Sequence, residues 1–193
     1  MIKIIAVAYE RAIPLRILID CFLVQTSPNW ELYIIHDGYP PSPVQDIINL
    51  YNDDRIKFVC SEKRYGQYGH PNRRQLLEKM TGTYEDFILM TNDDNYYVPL
   101  YIEYMLQQAT RLVGIVSCNT VHSHFQYKMH ESKLAQNHID MGAFIVRFPI
   151  AKAVGFKYND FGADGKYAVE CANACRANNL EVIHIDKPLF VHN

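Results

Sequence analysis

Residues 87–99 read Phe-Ile-Leu-Met-Thr-Asn-Asp-Asp-Asn-Tyr-Tyr-Val-Pro. The first five form an apolar run of strand length, and the acids arrive only where that run stops, at Asp93 and Asp94. Two adjacent carboxylates at the end of a buried strand repel each other, so they must be solvated, hydrogen-bonded or neutralised by a cation. Oxygen ligands in an open loop favour Mg2+ or Mn2+, which keep coordination positions for water and phosphate. The run Asn92 to Asn95 is equally good turn and helix-start chemistry ahead of Pro99. Taken alone, the segment leaves ligand site and plain turn open.

Upstream of this strand the chain alternates. Ile2 to Ala8 is a β-branched strand, and Leu15, Leu18, Ile19, Phe22 and Leu23 then draw one apolar helix face, closed by Pro28. Residues 31–35 form a second strand, residues 44–51 a helix, Ile56 to Cys60 a third strand, and residues 73–80 a helix for which Gly82 is the expected C-cap. Downstream, a helix follows Pro99, strands are expected at 113–117 and 141–146, and a His-rich irregular stretch at 119–138 separates them. A helix at 167–177 and a strand at 180–185 finish the order. Such alternation predicts an α/β domain over residues 1–193, a mostly parallel central sheet with helices on both faces. Ligands of such sheets bind beyond the carboxyl ends of the strands. That rule selects Tyr9, Glu10 and Arg11 after the first strand, Asp37 and Gly38 after the second, and Asn92, Asp93 and Asp94 after the fourth.

Composition narrows the functional classes. The chain of 193 residues is 49% hydrophobic and 21% charged, which excludes disordered and coiled-coil classes. With 19 Lys and Arg against 21 Asp and Glu, the formal charge of −2 gives no basic field for a nucleic-acid backbone. No apolar run reaches the roughly 20 residues of a membrane span, so the expected location is cytoplasmic, with at most peripheral membrane contact. The five cysteines are odd in number and scattered, and we read them as buried thiols rather than disulfides or zinc ligands. His122 and His124 lack an HxxxH spacing, so the His-rich stretch is expected to be an acceptor-facing loop and not a zinc cluster. No GxGxxG follows the first strand, and neither GxxxxGK[ST] nor GxSxG occurs.

Two tracts carry a family resemblance. Gln25-Thr26-Ser27-Pro28-Asn29-Trp30-Glu31-Leu32, running into Ile34-Ile35-His36-Asp37-Gly38, resembles the QT-x-x-x-WE-L-x-I-V-D-D-G signature of family-two nucleotide-sugar glycosyltransferases with the GT-A fold. Residues 87–99 resemble that family's strand and D-x-D motif with its following Pro, Asn92 standing at the first Asp position and Asp94 at the last. The resemblance implies a GT-A-like nucleotide-diphospho-sugar transferase fold, with residues 1–99 as the nucleotide-binding half and 100–193 as the half for donor sugar and acceptor. It implies that Asp37 bonds the nucleobase, that Tyr9 lies against it beside Arg11, and that Asp94 binds a Mn2+ or Mg2+ ion at the diphosphate. Asp93 would support the metal or ribose, and Asn92, which adds no charge, would bond ribose. Arg73 or Arg74 would match the family's nucleotide-contacting loop residue, with the register between them open. Asp140 and Gly142 would line the sugar pocket, the glycine admitting the ligand close to the backbone. Asp164, in a segment where Ala163 replaces the family's Glu, would be the catalytic base in preference to Asp160, and His192 would complete the metal site.

The expected activity is metal-dependent, inverting transfer of a sugar from a nucleotide-diphosphate sugar to a hydroxyl acceptor such as a glycan. Two rivals stand beside it. A sugar-nucleotide nucleotidyltransferase would carry a glycine-rich basic loop after the first strand, and residues 9–14 hold no glycine. A nucleotide- or glycan-binding domain without catalysis is favoured by Asn92 and Ala163.

Overall fold

The computed structural model describes every residue, Met1–Asn193. Its framework is a nine-stranded sheet. The elements in chain order are β1 (Ile2–Ala8), α1 (Ala12–Leu23), β2 (Trp30–His36), α2 (Ser42–Asn49), β3 (Ile56–Cys60), α3 (His70–Lys79), β4 (Phe87–Asn92), β5 (Tyr96–Tyr97), α4 (Tyr101–Gln108), β6 (Val113–His122), β7 (Lys128–His130), β8 (Phe144–Arg147), α5 (Phe148–Val154), α6 (Ala163–Ala177) and β9 (Glu181–His192). The strand order is β3-β2-β1-β4-β8-β6-β9-β5, with β7 on β6. Parallel ladders join β1 to β2 and β4, β2 to β3, and β6 to β9, and they hold most of the paired residues. The short ladders β4–β8, β6–β8, β5–β9 and β6–β7 are antiparallel.

Burial explains the pattern. All seven residues of β1 are buried, as expected for a central parallel strand covered on both faces. The edge strand β3 is half exposed and carries Lys57, which discourages pairing with another chain. In α1 the buried positions Leu15, Leu18, Ile19 and Phe22 follow the helical repeat. Gln25, just past that helix, braces it to α4: its amide donates to the carbonyls of Cys21 and Val98 at 3.0 and 2.9 Å, and its oxygen accepts the N–H of Ile102 at 2.9 Å. An otherwise orphaned donor at the start of α4 is thereby satisfied from a distant element.

Several expectations are corrected. Gly82 is no left-handed C-cap; α3 ends at an extended Met80, and a Cβ at Gly82 would meet the Phe148 ring at 2.8 Å, so glycine stands there for close packing. The strand expected at 113–117 continues to His122, and the one expected at 141–146 begins with a helical turn at Met141–Ala143. The last helix starts at Ala163, four residues early, and the last strand runs on to His192. Four cysteines are buried, but Cys60 is exposed at the end of the edge strand. No helix is long and apolar enough to cross a membrane.

One buried charge ties the antiparallel half to the parallel half. Arg147, wholly inaccessible, donates to the carbonyls of Val113 at 2.8 Å and Tyr84 at 2.7 Å and to that of Thr110, and lies over the rings of Tyr84 and Phe87 at 4.4 and 4.6 Å. It has no carboxylate partner, so carbonyl dipoles and ring faces carry the whole compensation. Replacing it takes a donor from three carbonyls, of which that of Thr110 keeps the Val113 N–H at 3.1 Å. Arg147→Leu should therefore lower unfolding free energy by about 3 kcal/mol, read from the midpoint of a urea titration at unchanged slope; a loss under about 1 kcal/mol would refute this role for the guanidinium.

Candidate active site

The carboxyl ends of β1 and β4 lie side by side where the sheet order reverses around β1, the place where open α/β sheets hold ligands. The loops that leave them are bonded together. Tyr9 N–H donates to Asp93 Oδ2 at 3.1 Å, and the Arg11 guanidinium bridges Asp93 and Asp94. Asp93 is wholly buried. Burial pushes its carboxyl up to about 6, against the pull of Arg11 and the Tyr9 amide and with the push of Asp94. Asp94 differs from its neighbour: one oxygen meets Arg11, and the other, Oδ1, is buried with no partner.

Asp37 is turned into its own neighbourhood. Its oxygens accept the N–H groups of Tyr65 at 2.8 Å and Gly66 at 2.9 Å, and Oδ1 also accepts the Asn72 amide at 2.8 Å. The carboxylate thus fixes the loop that leads into α3. Tyr9 lies near the same loop, with the Arg64 guanidinium 4.0 Å over its ring. The loop itself is strained: Gly66, Gln67, Tyr68 and Gly69 all have positive φ, between 49° and 74°. Two of these are non-glycine residues, a conformation that persists only where surrounding bonds impose it.

Arg73 supplies such bonds. It is almost wholly buried and donates to the Tyr68 carbonyl at 2.7 Å, the Thr91 carbonyl at 3.1 Å and the Asn92 side-chain oxygen. Burial lowers its pKa, and the charges of Asp164, Asp93 and Asp94 oppose that fall. Of the two neighbours left open by the sequence, Arg73 lines the cavity described below. Arg74 faces away from it, its guanidinium spent on the carbonyls of Phe156 and Lys157 and the side chain of Asn159 at 2.7 to 2.9 Å.

Arg73, Asn92, Asp140, Asp164 and His192 line one cavity of about 530 Å³, together with Tyr68, His70, His122 and Phe161. Asp164 opens α6 and accepts the N–H of Met141 at 3.2 Å. Burial raises its carboxyl to about 6, with Arg73 pulling the other way. Asp160 is instead exposed and paired with Lys166 at 2.8 Å. His70 is driven down to about 4, by burial first and then by the charge of Arg73. Gly142 does not open the backbone to a ligand: an added Cβ would meet Phe190 at 2.5 Å and the Tyr97 hydroxyl at 2.6 Å. Its missing side chain serves the packing of the 141–143 turn on the aromatic core, and the site-facing members of that segment are Asp140 and Met141.

Asp140 stands between two histidines, 3.0 Å from His122 Nε2 and 3.1 Å from His192 Nδ1. Burial pulls the His192 imidazole down, but Asp140, Asp94 and Asp164 outweigh it and leave the pKa above the ordinary value. Burial lowers that of His122, with Asp140 opposing. His124 joins them, its ring centroid 5.4 Å from that of His192. No spacing reports this group, because its third member lies nearly seventy positions away and a paired-strand register brings it in.

The model of the family described as glycosyl transferase family 2 matches residues 3–150. Among solved structures, S. aureus TarS residues 1–349 superposes over 100% of this chain and 60% of its own with a TM-score of 0.74 at 16% identity. Its complex with UDP superposes with a TM-score of 0.77 at 14% identity. The mannosyltransferase PcManGT from Pyrobaculum calidifontis, in complex with GDP-Man and Mn2+, matches over 99% of this chain and 56% of its own, with a TM-score of 0.72 at 17% identity. At these identities the likeness is one of fold, and the chain spans about 60% of the TarS fragment's length. No curated protein sequence matches the chain.

The raised carboxyl of Asp164 has a consequence for stability. In the unfolded chain an aspartate titrates near 3.8, and in the folded protein this one titrates at about 6. Between those values the folded state binds more protons, so the group's contribution favours folding at low pH and is lost as pH rises through about 6. Asp164→Asn removes that loss while its oxygen still accepts the Met141 N–H. Urea unfolding in metal-free buffer should find the variant equal to the parent near pH 4 and more stable above pH 6; a variant less stable at pH 7 would contradict this placement.

Proposed function

Because the chain belongs to glycosyl transferase family 2, we propose that it transfers a sugar from a nucleotide-diphosphate donor to an acceptor hydroxyl, with inversion at the anomeric carbon. One observation carries the reading: a largely desolvated carboxyl raised toward neutrality, Asp164, shares one cavity with Arg73, Asn92, Asp140 and His192. A general base works best with a pKa near the working pH, and burial supplies that shift. Asp164 takes the acceptor proton as the hydroxyl attacks, and the opposite-face geometry of a single displacement gives inversion. The nucleotide part of the donor lies along residues 1–99, between Tyr9 and the strained 66–69 loop. The sugar and the acceptor lie toward residues 100–193. UDP, UDP-GlcNAc and GDP-Man, the ligands of the similar structures, share a nucleoside diphosphate, and that common part is what we assign as donor chemistry.

The unpartnered, buried Oδ1 of Asp94 fits a divalent cation, Mn2+ or Mg2+. Asp94 and His192 would hold it. Bound there, the ion would offset charge developing on the diphosphate leaving group. Arg73 and Arg11 add fixed positive charge on the same side. Asp93, bonded to the Tyr9 amide and Arg11, keeps the rim in shape rather than meeting solvent. Asp37 acts in the same way on the loop beside the nucleotide, its oxygens presented to the base only at the cost of loop contacts.

Two variants test the roles. Asp164→Asn should retain donor binding by calorimetry within about twofold and lose turnover by about 10² or more, since a positioned base contributes 10² to 10⁴. Asp94→Ala should abolish the cation-dependent part of nucleoside-diphosphate binding. Sugar transfer from a donor panel at normal rates by both would sink the assignment. A wild-type chain that binds the donor but neither transfers nor hydrolyses it would favour the inert binding domain.

A further inference from the structure

The imidazoles of His122, His124 and His192 each offer one ring nitrogen, and these three atoms lie within 4.8 Å of one another. Three different pieces of chain deliver them. His122 ends β6, His124 sits in the turn Ser123–Phe125, and His192 ends β9, where the β6–β9 ladder pairs it with His122. The ring centroids are 5.0 to 5.9 Å apart and the ring planes are inclined to each other by 59° to 75°, so the rings do not stack. Asp140 faces both strand-borne histidines, at His122 Nε2 and His192 Nδ1. The Nδ1 atoms of His122 and His192 are both buried with no hydrogen-bond partner. A carboxylate behind a histidine is the usual support for a metal-ligating imidazole.

We propose that His122, His124 and His192 form a three-imidazole site for a transition-metal ion of the Zn2+ or Co2+ class, backed by Asp140 and open to the cavity at its fourth position. Neutral imidazoles select such ions over Mg2+. Three protein ligands and one open position describe a site that binds an exchangeable oxygen rather than a structural one. Tetrahedral coordination at about 2.0 Å needs donor nitrogens about 3.3 Å apart, so the cluster must draw in, and the exposed turn that carries His124 is the part free to move. The fourth position faces the space lined by Arg73 and Asp164, where an anionic oxygen of a bound ligand would complete the shell. The inference rests on the proposed transfer only for what the ion is used for. His192 is common to this set and to the Mn2+ or Mg2+ set with Asp94, so occupancy of one would exclude the other.

The test uses the whole chain, stripped with chelator and titrated with Co2+ without any nucleotide. Wild type should develop the intense visible absorption of tetrahedral Co2+, saturating at one equivalent, displaced by Zn2+ and unmoved by millimolar Mg2+. His124 is exposed, so His124→Ala should fold with an unchanged Tm yet weaken Co2+ binding by about tenfold or more. Asp140→Asn should weaken it by about 10- to 100-fold, and Asp94→Asn should leave the spectrum intact. Absence of the band in wild type, an unchanged affinity in His124→Ala, or loss of the band in Asp94→Asn would each overturn the proposal. A chain that shows the band but transfers no sugar from any donor would overturn the transfer reading and leave this site standing.

Discussion

The site depends on a guanidinium that has no carboxylate against it. Arg73 is buried, and its direct bonds go to two carbonyls, the Asn92 amide oxygen and the His70 Nδ1. Removing such a charge from water costs several kcal/mol unless its donors are met and opposite charge stands near. Its two terminal nitrogens are met, while Nε is buried without a partner. Its charge is answered at longer range by Asp164, Asp93 and Asp94, which lie on α6 and on the loop after β4. Those acids in turn could not be gathered at one rim without Arg73 and Arg11, because like charges in partly desolvated surroundings repel strongly. The same guanidinium holds Tyr68 by its carbonyl and so fixes a loop whose backbone would not adopt four positive φ values unaided. A single side chain thereby links the 66–69 loop, the end of β4 and the acidic wall of the cavity.

The parallel half of the fold was legible because parallel strands covered on both faces must be continuously apolar. β1 and β3 are found at the residues the sequence indicates, and β2 and β4 differ by a residue or so at their ends. The second half was harder for a physical reason. Once β8 enters antiparallel between β4 and β6, strand order no longer follows chain order, and no periodicity reports which strand lies beside which. β5 and β7 are only two and three residues long and are strands solely by virtue of their partners. The tract from Gln25 to Leu32 resembles a family signature, yet the structure gives its residues mechanical work. Gln25 braces two helices, Thr26 hydrogen-bonds the Pro99 carbonyl and Glu103, and Trp30 is buried under Arg55.

The candidate residues divide along a similar line. Those selected by position after a strand, Tyr9, Arg11, Asp93 and Asp94, are brought together, since the strand ends of a parallel sheet converge whatever the loops do. Where sequence offered two neighbours for one role, only side-chain direction could choose: Arg73 and Arg74 are adjacent on α3, and one turn-fraction of helix separates cavity from surface. Gly142 marks the limit of reading a glycine from sequence. A missing side chain signals close approach, but whether of ligand or of the protein's own aromatics, here Tyr97 and Phe190, lies in three-dimensional packing.

The histidine group shows how an irregularity can build a site. From Ser117 opposite His184 and Cys118 opposite Ile185, the β6–β9 register jumps to Asn119 opposite Pro188 and Thr120 opposite Phe190, so β9 gains three residues on β6 within two steps. Pro188, with no N–H for a ladder, is tolerated because it lies in this bulge. Asn119, wholly buried, clamps the distortion: its amide donates to Asp186 at 2.8 Å, and its oxygen accepts the Ser132 N–H at 3.1 Å and lies 3.0 Å from His184 Nε2. An odd shift reverses the face that each later residue of β9 presents. With the bulge, His192 pairs with His122 and shares its face; without it, Leu189 would stand there and the imidazole would fall beyond the end of β6. The placement of His192 therefore follows from Asn119 and Pro188, two residues that touch no part of the cavity.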